Sequence, residues 1–250
     1  MKLAHLISFV FLVNTYQLSA KELHLATTDW SPYFSKELPE NGYFSALVRE
    51  AAKRSGVKLN ISFIPWKRAL KDSKKGVIDG LHGAYYSEER THFYWFSAPI
   101  AVVRAAIFKR ESAKNIPSKY NTLQELKDYS IGVGRGYKIA DEFDAASYLK
   151  KYEANNHIFS MKMLAKNRVE LVADAYEAIM FELKNNPEIK TFNMKLVALK
   201  PYLSENNLHI TISKRSKNFD KKFLDKFNQS LESMKKDGTY DKIMNQFGMK

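Results

Sequence analysis

Two hydrophobic patterns alternate along this chain, and their order constrains its fold more than any other feature. Leu23–Thr27, Val57–Phe63 and Val77–Gly83 have the alternating or continuous apolar pattern of half-buried and buried strands. Between them, Phe44–Ala52 and Trp66–Lys74 carry apolar residues at helical spacing. This β-α-β-α-β order predicts an α/β fold in which helices cover both faces of a parallel sheet.

The same alternation restarts in the second half of the chain. The further predicted strands are Val102–Phe108, Ser130–Gly134, Glu170–Ala173, Leu196–Leu199 and Leu208–Ser213. The further predicted helices are Leu123–Asp128, Asp141–Lys151, Ala175–Lys184, Phe219–Met234 and Tyr240–Phe247. No flexible linker separates the two units. We therefore predict two α/β lobes with a cleft between them.

The first twenty residues have the features of an export signal. Lys2 gives a basic start, Leu6–Val13 is an unbroken apolar run, and Ser19-Ala20 supplies the small residues of a cleavage site. The run is too short to span a bilayer, and a buried strand is the alternative. We predict cleavage near Ala20 and a periplasmic location for the rest of the chain.

The charge and the cysteine content limit the classes of partner and cofactor. Lys and Arg number 40 against 27 Asp and Glu, a formal net charge of +13. A basic surface suits nucleic acid or an anionic membrane, but an exported protein rarely meets nucleic acid, so we expect none. The absence of cysteine excludes disulfides, thiolate metal sites and a thiol nucleophile. We expect no cofactor.

No enzymatic motif is complete in this sequence. The glycines of Gly132–Gly136 resemble a dinucleotide fingerprint, but its third glycine falls on Tyr137. What remains is a strand-to-helix turn that either binds an anion or is only a tight turn. No two histidines have metal-ligand helical spacing, and no G-x-S-x-G elbow occurs. We predict no catalytic residue and no metal ligand.

Aromatic and arginine side chains collect at the predicted carboxyl ends of the strands. In open parallel sheets ligands bind at this edge, although each of these residues could be core or surface. The aromatic residues are Trp30, Tyr33, Trp66, Tyr85, Tyr86 and Tyr137. Arg68, Arg90 and Arg135 lie near the same edge, and a guanidinium is suited to holding a carboxylate.

Residues 77–100 resemble the signature of the extracytoplasmic solute-binding proteins, family 3, of polar amino-acid ABC uptake systems. That family has a G-x-x-D strand, a T-x-E-R turn and an F-S-x-P-[YI] segment. The matching positions here are Gly76, Asp79, Ser87, Glu89, Arg90, Phe96, Ser97, Pro99 and Ile100. The segments 65–70 (P-W-x-R-A-L), 135–137 and 237–243 (D-G-T-Y-x-K-I) resemble a divergent branch of the same family.

The resemblance implies a type II periplasmic-binding-protein-like fold, in which two α/β lobes enclose a ligand cleft and two crossovers form a hinge. Lobe 1 would comprise residues 21–108 and 206–250, and lobe 2 residues 109–205, with hinges near 108–112 and 200–205. It also implies that Arg90 binds a ligand carboxylate, with Gly83 and Tyr85 beside it. Implied anion-binding residues of lobe 2 are Gly136, Tyr137 and Lys138.

One position departs from the family pattern. The aspartate that pairs with a ligand ammonium is replaced by Ala175, and Asp174 comes one residue early. Because neighbouring strand residues point to opposite faces, Asp174 is expected to face away from the cleft. Arg68, Arg90, Arg135 and Lys138 then predict a basic cleft that prefers anionic or aromatic carboxylates. Alternatively, Tyr85 and a carboxylate from elsewhere, with Asp174 and Asp29 as candidates, hold the ammonium of a standard amino acid.

These observations predict a monomeric periplasmic protein that binds a small polar, carboxylate-bearing ligand by lobe closure. It would deliver the ligand to an inner-membrane ABC permease. The alternatives are a ligand-sensing protein for a membrane receptor, an enzyme on the same fold, and a non-transport interaction protein. The sequence leaves the identity of the ligand open.

Overall fold

The computed structural model describes residues 21–249, and their strands form one continuous, mixed sheet. The predicted export signal lies outside the described residues. The strands are β1 Lys21–Thr27, β2 Val57–Phe63, β3 Gly80–Tyr85, β4 Tyr94–Phe96, β5 Ala101–Arg110, β6 Ser130–Gly134, β7 Lys150–Ala154, β8 Leu171–Ala175, β9 Leu196–Ala198 and β10 Ser204–Ser213. Their order is β2-β1-β3-β10-β5-β8-β6-β7, with β4 also on β10 and β9 also on β5.

Helices follow most of the strands along the chain. They are α1 Tyr43–Arg54, α2 Trp66–Lys74, α3 Glu88–Thr91, α4 Asp141–Ala145, α5 His157–Ala165, α6 Tyr176–Asn185, α7 Pro187–Lys190, α8 Lys221–Lys236 and α9 Thr239–Gln246. Local sequence sets several of their ends: the side chain of Asp220 accepts the Phe223 N–H at the start of α8, and Asn156 does the same for α5. In the described part of the chain, no helix is long and apolar enough to cross a membrane.

The sheet divides into two halves, each with parallel strands at its centre. We call the half built on β1–β4, α1–α3, α8 and α9 lobe 1, and the half built on β6–β9 and α4–α7 lobe 2. In lobe 1, β1 is parallel to β2 and β3, and in lobe 2, β6 is parallel to β7 and β8. The two long strands β5 and β10 cross between the lobes as an antiparallel pair. This is the predicted α/β architecture with two crossovers.

Apolar side chains cover both faces of each half of the sheet. In lobe 1, Leu25 packs in the core that holds the buried faces of α1 and α8, whereas its neighbour Ala26 faces the core beneath α2. On β5, Val103 belongs to the lobe 1 core, whereas Ala105 and Ile107 pack in lobe 2. The packing of β5 therefore passes from one lobe to the other around residue 104. The boundary drawn after residue 108 stays a prediction.

The structure corrects one predicted helix and shows elements that were not predicted, among them α5 and α7. The helix expected over Asp141–Lys151 ends at Ala145, and Lys150–Ala154 forms the edge strand β7. Parallel pairing with β6 decides the conformation of this segment, because tertiary hydrogen bonds override weak local preferences. The strand expected over Val77–Gly83 begins at Gly80, and α5 was missed.

Candidate functional site

A cavity lies between the two lobes, where strands from both end. It encloses about 490 Å³ of empty space, which includes solvent at its open mouth. Eight of the predicted site residues line it: Trp30, Trp66, Gly83, Tyr85, Arg90, Tyr137, Lys138 and Asp174. The remaining lining residues are Thr27, Thr28, Phe34, Ala84, Ala105, Ile139, Ala175 and Leu208. The walls are therefore mostly apolar and aromatic, with few charged groups.

Arg90 provides a buried positive charge in the lobe 1 wall. The short helix α3 begins where the Ser87 side chain accepts the Arg90 backbone N–H, and this turn aims the guanidinium at the cavity. Arg90 is 9% exposed, its Nη1 donates to the Tyr85 carbonyl at 2.9 Å, and it lies 5.8 Å from the Trp66 ring. Burial lowers its pKa. Among the described residues no carboxylate lies within 4.0 Å of it, so its charge calls for an anion in the cavity.

Asp174 provides the opposite charge in the lobe 2 wall. It lies near the end of β8 and is 1% exposed. Its Oδ1 accepts the Trp30 indole N–H at 3.1 Å and the Ala175 backbone N–H at 2.7 Å, whereas its buried Oδ2 has no partner among the described residues. Burial raises its pKa.

The expectation that Asp174 faces away from the cleft is therefore wrong. Asp174 and Ala175 are the last two residues of β8 and both line the cavity, so pointing to opposite faces of the strand does not exclude either of them at this sheet edge. The indole of Trp30, reaching across from lobe 1, holds the carboxylate at the cavity wall.

Tyr137 and Gly83 shape the rest of the cavity. The Tyr137 hydroxyl is buried without a partner in the described part of the chain, and burial raises its pKa, so it remains a neutral hydrogen-bonding group. Gly83 has a φ of +81°, and a Cβ there would lie 2.3 Å from the Phe34 ring. Only glycine lets this ring close against β3.

Lys138 lies in the cavity wall, but lobe 2 already neutralises its charge. Its Nζ is 2.9 Å from a carboxylate oxygen of Asp141 and 3.5 Å from one of Asp144. Among the described residues that line the cavity, the charged groups without an oppositely charged side chain within 4.0 Å are therefore Arg90 and Asp174.

Two arginines expected in a basic cleft lie outside the cavity. Arg68 is 70% exposed on α2 and pairs with Asp72 at 3.3 Å, and Arg135 pairs with Glu153 at 3.1 Å. Both pairings are local, either along one helix or between neighbouring strands, and they satisfy the guanidinium groups away from the cleft. The expectation of a strongly basic cleft is corrected accordingly.

Three other predicted residues are close to the cavity without lining it. Tyr33 is fully buried and donates its hydroxyl to Glu177 at 2.9 Å. Gly136 contributes its carbonyl, which accepts the Trp66 indole N–H at 3.1 Å. Tyr86 is 56% exposed on the lobe 1 surface.

Sequence reasoning missed several lining residues, and for three of them, Thr27, Thr28 and Phe34, a signal existed. Thr27 and Thr28 end β1, the same strand edge that pointed to Trp30, and Phe34 closes the loop that follows. Asp29, considered as an acid for a ligand ammonium, accepts instead from the Ser35 hydroxyl and the Lys36 backbone.

Within residues 21–249, no group of three or more His, Asp or Glu side chains is placed to hold a metal ion. The lining likewise presents no nucleophile with an adjacent base. What the arrangement offers is a small enclosed volume with opposite charges on its two walls.

Comparison with known proteins supports this interpretation of the fold. The family model described as bacterial extracellular solute-binding proteins, family 3, matches residues 23–250. No curated protein sequence matches at a significant level.

Solved structures agree with the family match. An ancestral arginine-binding protein bound to glutamine has 25% identity and a TM-score of 0.75, covering 92% of this chain and 98% of its own. A histidine kinase sensor domain with similarity to periplasmic binding proteins has 19% identity and a TM-score of 0.76, covering 92% and 96%. The ancestral amino-acid-binding protein AncCDT-1, a precursor of cyclohexadienyl dehydratase, has 22% identity and a TM-score of 0.70, covering 90% and 94%.

The family match spans nearly all of the described residues, and the resemblance inferred from residues 77–100 is confirmed. The chain belongs to the bacterial extracellular solute-binding proteins, family 3.

Proposed function

We propose that this protein captures a small zwitterionic α-amino acid between its lobes. One observation carries the proposal: the Arg90 guanidinium and the Asp174 Oδ2 lie on opposite walls of one cavity, and among the described residues neither group has an oppositely charged side chain within 4.0 Å. A buried unpaired charge is costly, so a ligand that brings both a carboxylate and an ammonium is favoured over one that brings either alone.

The remaining walls favour a ligand with an apolar or aromatic side chain. Trp30, Trp66 and Tyr85 present ring faces and edges, and Ile139 and Leu208 add aliphatic surface. Lys138 is already paired, so a second ligand carboxylate finds no free cation there. Neutral amino acids are therefore expected to bind more tightly than dicarboxylates.

A calorimetric series on matched ligands tests this proposal. A thermal-shift screen of the amino acids selects the tightest binder, which is then compared with its analogues lacking either the ammonium or the carboxylate. We expect each analogue to bind at least about tenfold more weakly, because each leaves one wall charge unpaired. An analogue without the amino group that binds as tightly as the amino acid would refute the role of Asp174.

The proposed setting is the periplasm, with delivery of the ligand by the monomeric protein to an inner-membrane ABC permease. The family description and the signal-like first twenty residues support this setting. Mass spectrometry of protein from the periplasmic fraction should find an N-terminus near Lys21. A full-length product confined to the cytoplasm would contradict it.

A sensing role is the second candidate, favoured by the likeness to a histidine kinase sensor domain. Deleting the gene distinguishes the two roles: loss of uptake of the ligand supports transport, whereas intact uptake with a lost response supports sensing. An enzymatic role, suggested by the likeness to AncCDT-1, predicts that the bound ligand is converted on prolonged incubation.

A further inference from the structure

Three side chains that do not line the cavity meet at the boundary between the lobes. Glu177, in the first turn of α6, accepts the Tyr33 hydroxyl on Oε2 at 2.9 Å. Its Oε1 lies 2.7 Å from both Nε and Nη2 of Arg104, on the crossing strand β5. We propose that Tyr33, Glu177 and Arg104 form an interlobe latch, which favours the closed cleft whatever ligand is bound.

The positions of the three residues in the fold indicate which of their contacts breaks when the lobes separate. Tyr33 belongs to lobe 1, where its ring lies 4.6 Å from that of Trp30 and 5.8 Å from that of Tyr43. Arg104 precedes Ala105, which pairs with the last residue of β8, so Arg104 stays beside Glu177 when the lobes separate. The bond that opening breaks is therefore the one between Tyr33 and Glu177.

Neighbouring groups fix the position of the Arg104 side chain and keep the Tyr33 hydroxyl protonated, and the latch requires both. The Arg104 guanidinium lies 5.1 Å from the Tyr176 ring and 5.6 Å from the Tyr202 ring, both in lobe 2. In this position Arg104 binds Oε1 of Glu177 and fixes the orientation of the carboxylate. Oε2 therefore remains available to accept the hydroxyl of Tyr33 from lobe 1. Burial raises the pKa of Tyr33 well above its usual value, so its hydroxyl remains a donor.

The latch differs from the other polar contacts across the cleft. The bonds from Trp30 to Asp174 and from Trp66 to Gly136 involve residues of the cavity wall, so a ligand can alter them directly. Tyr33 and Glu177 do not line the cavity. They can change ligand affinity only by changing the fraction of molecules that are closed. This consequence for affinity rests on the proposed function, whereas the effect on closure does not.

Fluorescence energy transfer within the ligand-free protein tests the latch. The chain has no cysteine, so Lys71→Cys on α2 and Ser147→Cys after α4 place one dye on each lobe at exposed positions. In this background, Tyr33→Phe removes only the donating hydroxyl. Because this variant loses a hydrogen bond to a charged group, we expect its ratio of closed to open molecules to fall about tenfold or more. Glu177→Gln should shift the ratio in the same direction.

Tyr240→Phe is the matched control. It also removes one tyrosine hydroxyl, but this hydroxyl donates to the Ile100 carbonyl within lobe 1, at 2.7 Å. We expect it to leave the closed-to-open ratio unchanged. The latch is refuted if Tyr33→Phe keeps the wild-type distribution, or if Tyr240→Phe opens the cleft equally.

A calorimetric measurement with the amino acid selected above completes the test. The affinity of Tyr33→Phe should fall in proportion to its closed fraction, because only the closed form makes all contacts with the ligand. If no amino acid binds the wild-type protein, the proposed function fails while the ligand-free fluorescence comparison still decides the latch.

Discussion

At the scale of single residues, the cavity depends on two charged groups that the protein itself leaves unpaired. Arg90 is positioned by the short α3 turn, and Asp174 by the Trp30 indole from the facing lobe. Each has part of its hydrogen-bonding capacity satisfied, which holds its orientation. The rest faces the cavity, so the cost of burial is offset when a complementary ligand enters.

Replacing Arg90 by Ala should weaken ligand binding about tenfold to several hundredfold, since a charge-assisted bond is worth about 1.5–3 kcal/mol or more in a closed cleft. Arg90→Lys should restore only part, because an ammonium cannot form the bidentate fork. Arg68→Ala is the control, since Arg68 is an arginine outside the cavity. Unchanged affinity of Arg90→Ala in calorimetry would assign Arg90 a purely structural role.

Gly83→Ala should destabilise the fold more than Gly238→Ala. Both glycines have positive φ, +81° and +77°, so both variants carry backbone strain of about 1–3 kcal/mol. At Gly83 the new Cβ also meets the Phe34 ring at 2.3 Å, which adds about 1–3 kcal/mol, whereas nothing lies within 4 Å at Gly238. Urea denaturation measures both. Equal losses in unfolding free energy would show that Phe34 moves freely.

At the scale of elements, the central strand β3 carries both apolar packing and a buried titratable group. All six of its residues are buried. His82 lies within it, with Nε2 2.9 Å from the Ser45 hydroxyl of α1, and its Nδ1 has no partner in the described part of the chain. Burial, with a smaller contribution from Arg49, lowers the pKa of His82 to about 3.

This buried histidine should make β3 acid-sensitive. Between about pH 6.5 and 3 the unfolded chain binds a proton at His82 that the folded chain excludes, so the unfolding free energy falls as the pH is lowered. The contribution approaches about 1.4 kcal/mol per pH unit within this window. In thermal melts, the melting temperature of His82→Gln should depend less steeply on pH than that of wild type. The exposed His92→Gln is the control, and its melting temperature should follow the wild-type dependence on pH. Identical slopes for wild type and His82→Gln would contradict the argument.

At the scale of the whole molecule, the crossing strands and the contacts between lobes decide how the cleft works. β10 pairs with β3 and β4 of lobe 1, β5 pairs with β8 and β9 of lobe 2, and the two strands pair with each other, so rotation between the lobes is concentrated on them. Two of the contacts that close the cleft, Trp30 with Asp174 and Tyr33 with Glu177, join residues 144 positions apart.

Ligand binding should reduce the radius of gyration in small-angle X-ray scattering, because a ligand that contacts both lobes favours the closed form. The reduction should be larger in Tyr33→Phe than in wild type, since the variant begins with more open molecules. Adding Arg90→Ala should raise the ligand concentration needed for the response, about tenfold to several hundredfold. Identical profiles of Tyr33→Phe with and without saturating ligand would exclude closure by the ligand.

Local sequence determined most of the elements and one half of the site. The periodicity of β1, α1, β2 and α8 identified them, because each buries one face of a regular structure. Thr122 and Glu125, three residues apart, form a capping box at the start of a short 3₁₀-helix, Leu123–Leu126, where a helix over Leu123–Asp128 was predicted. Arg90 was singled out by the resemblance of residues 77–100 to the family signature, and the α3 turn that directs it lies within those residues.

Only the tertiary structure decided the other half of the site. β7 became a strand by pairing with β6, Asp174 was drawn to the cavity by an indole from the facing lobe, and Arg135 was removed from it by Glu153. Tyr33, predicted to bind the ligand, bonds to Glu177 instead. The physical reason is the same throughout: the orientation of a polar side chain depends on the partner that satisfies it, and these partners come from distant parts of the chain.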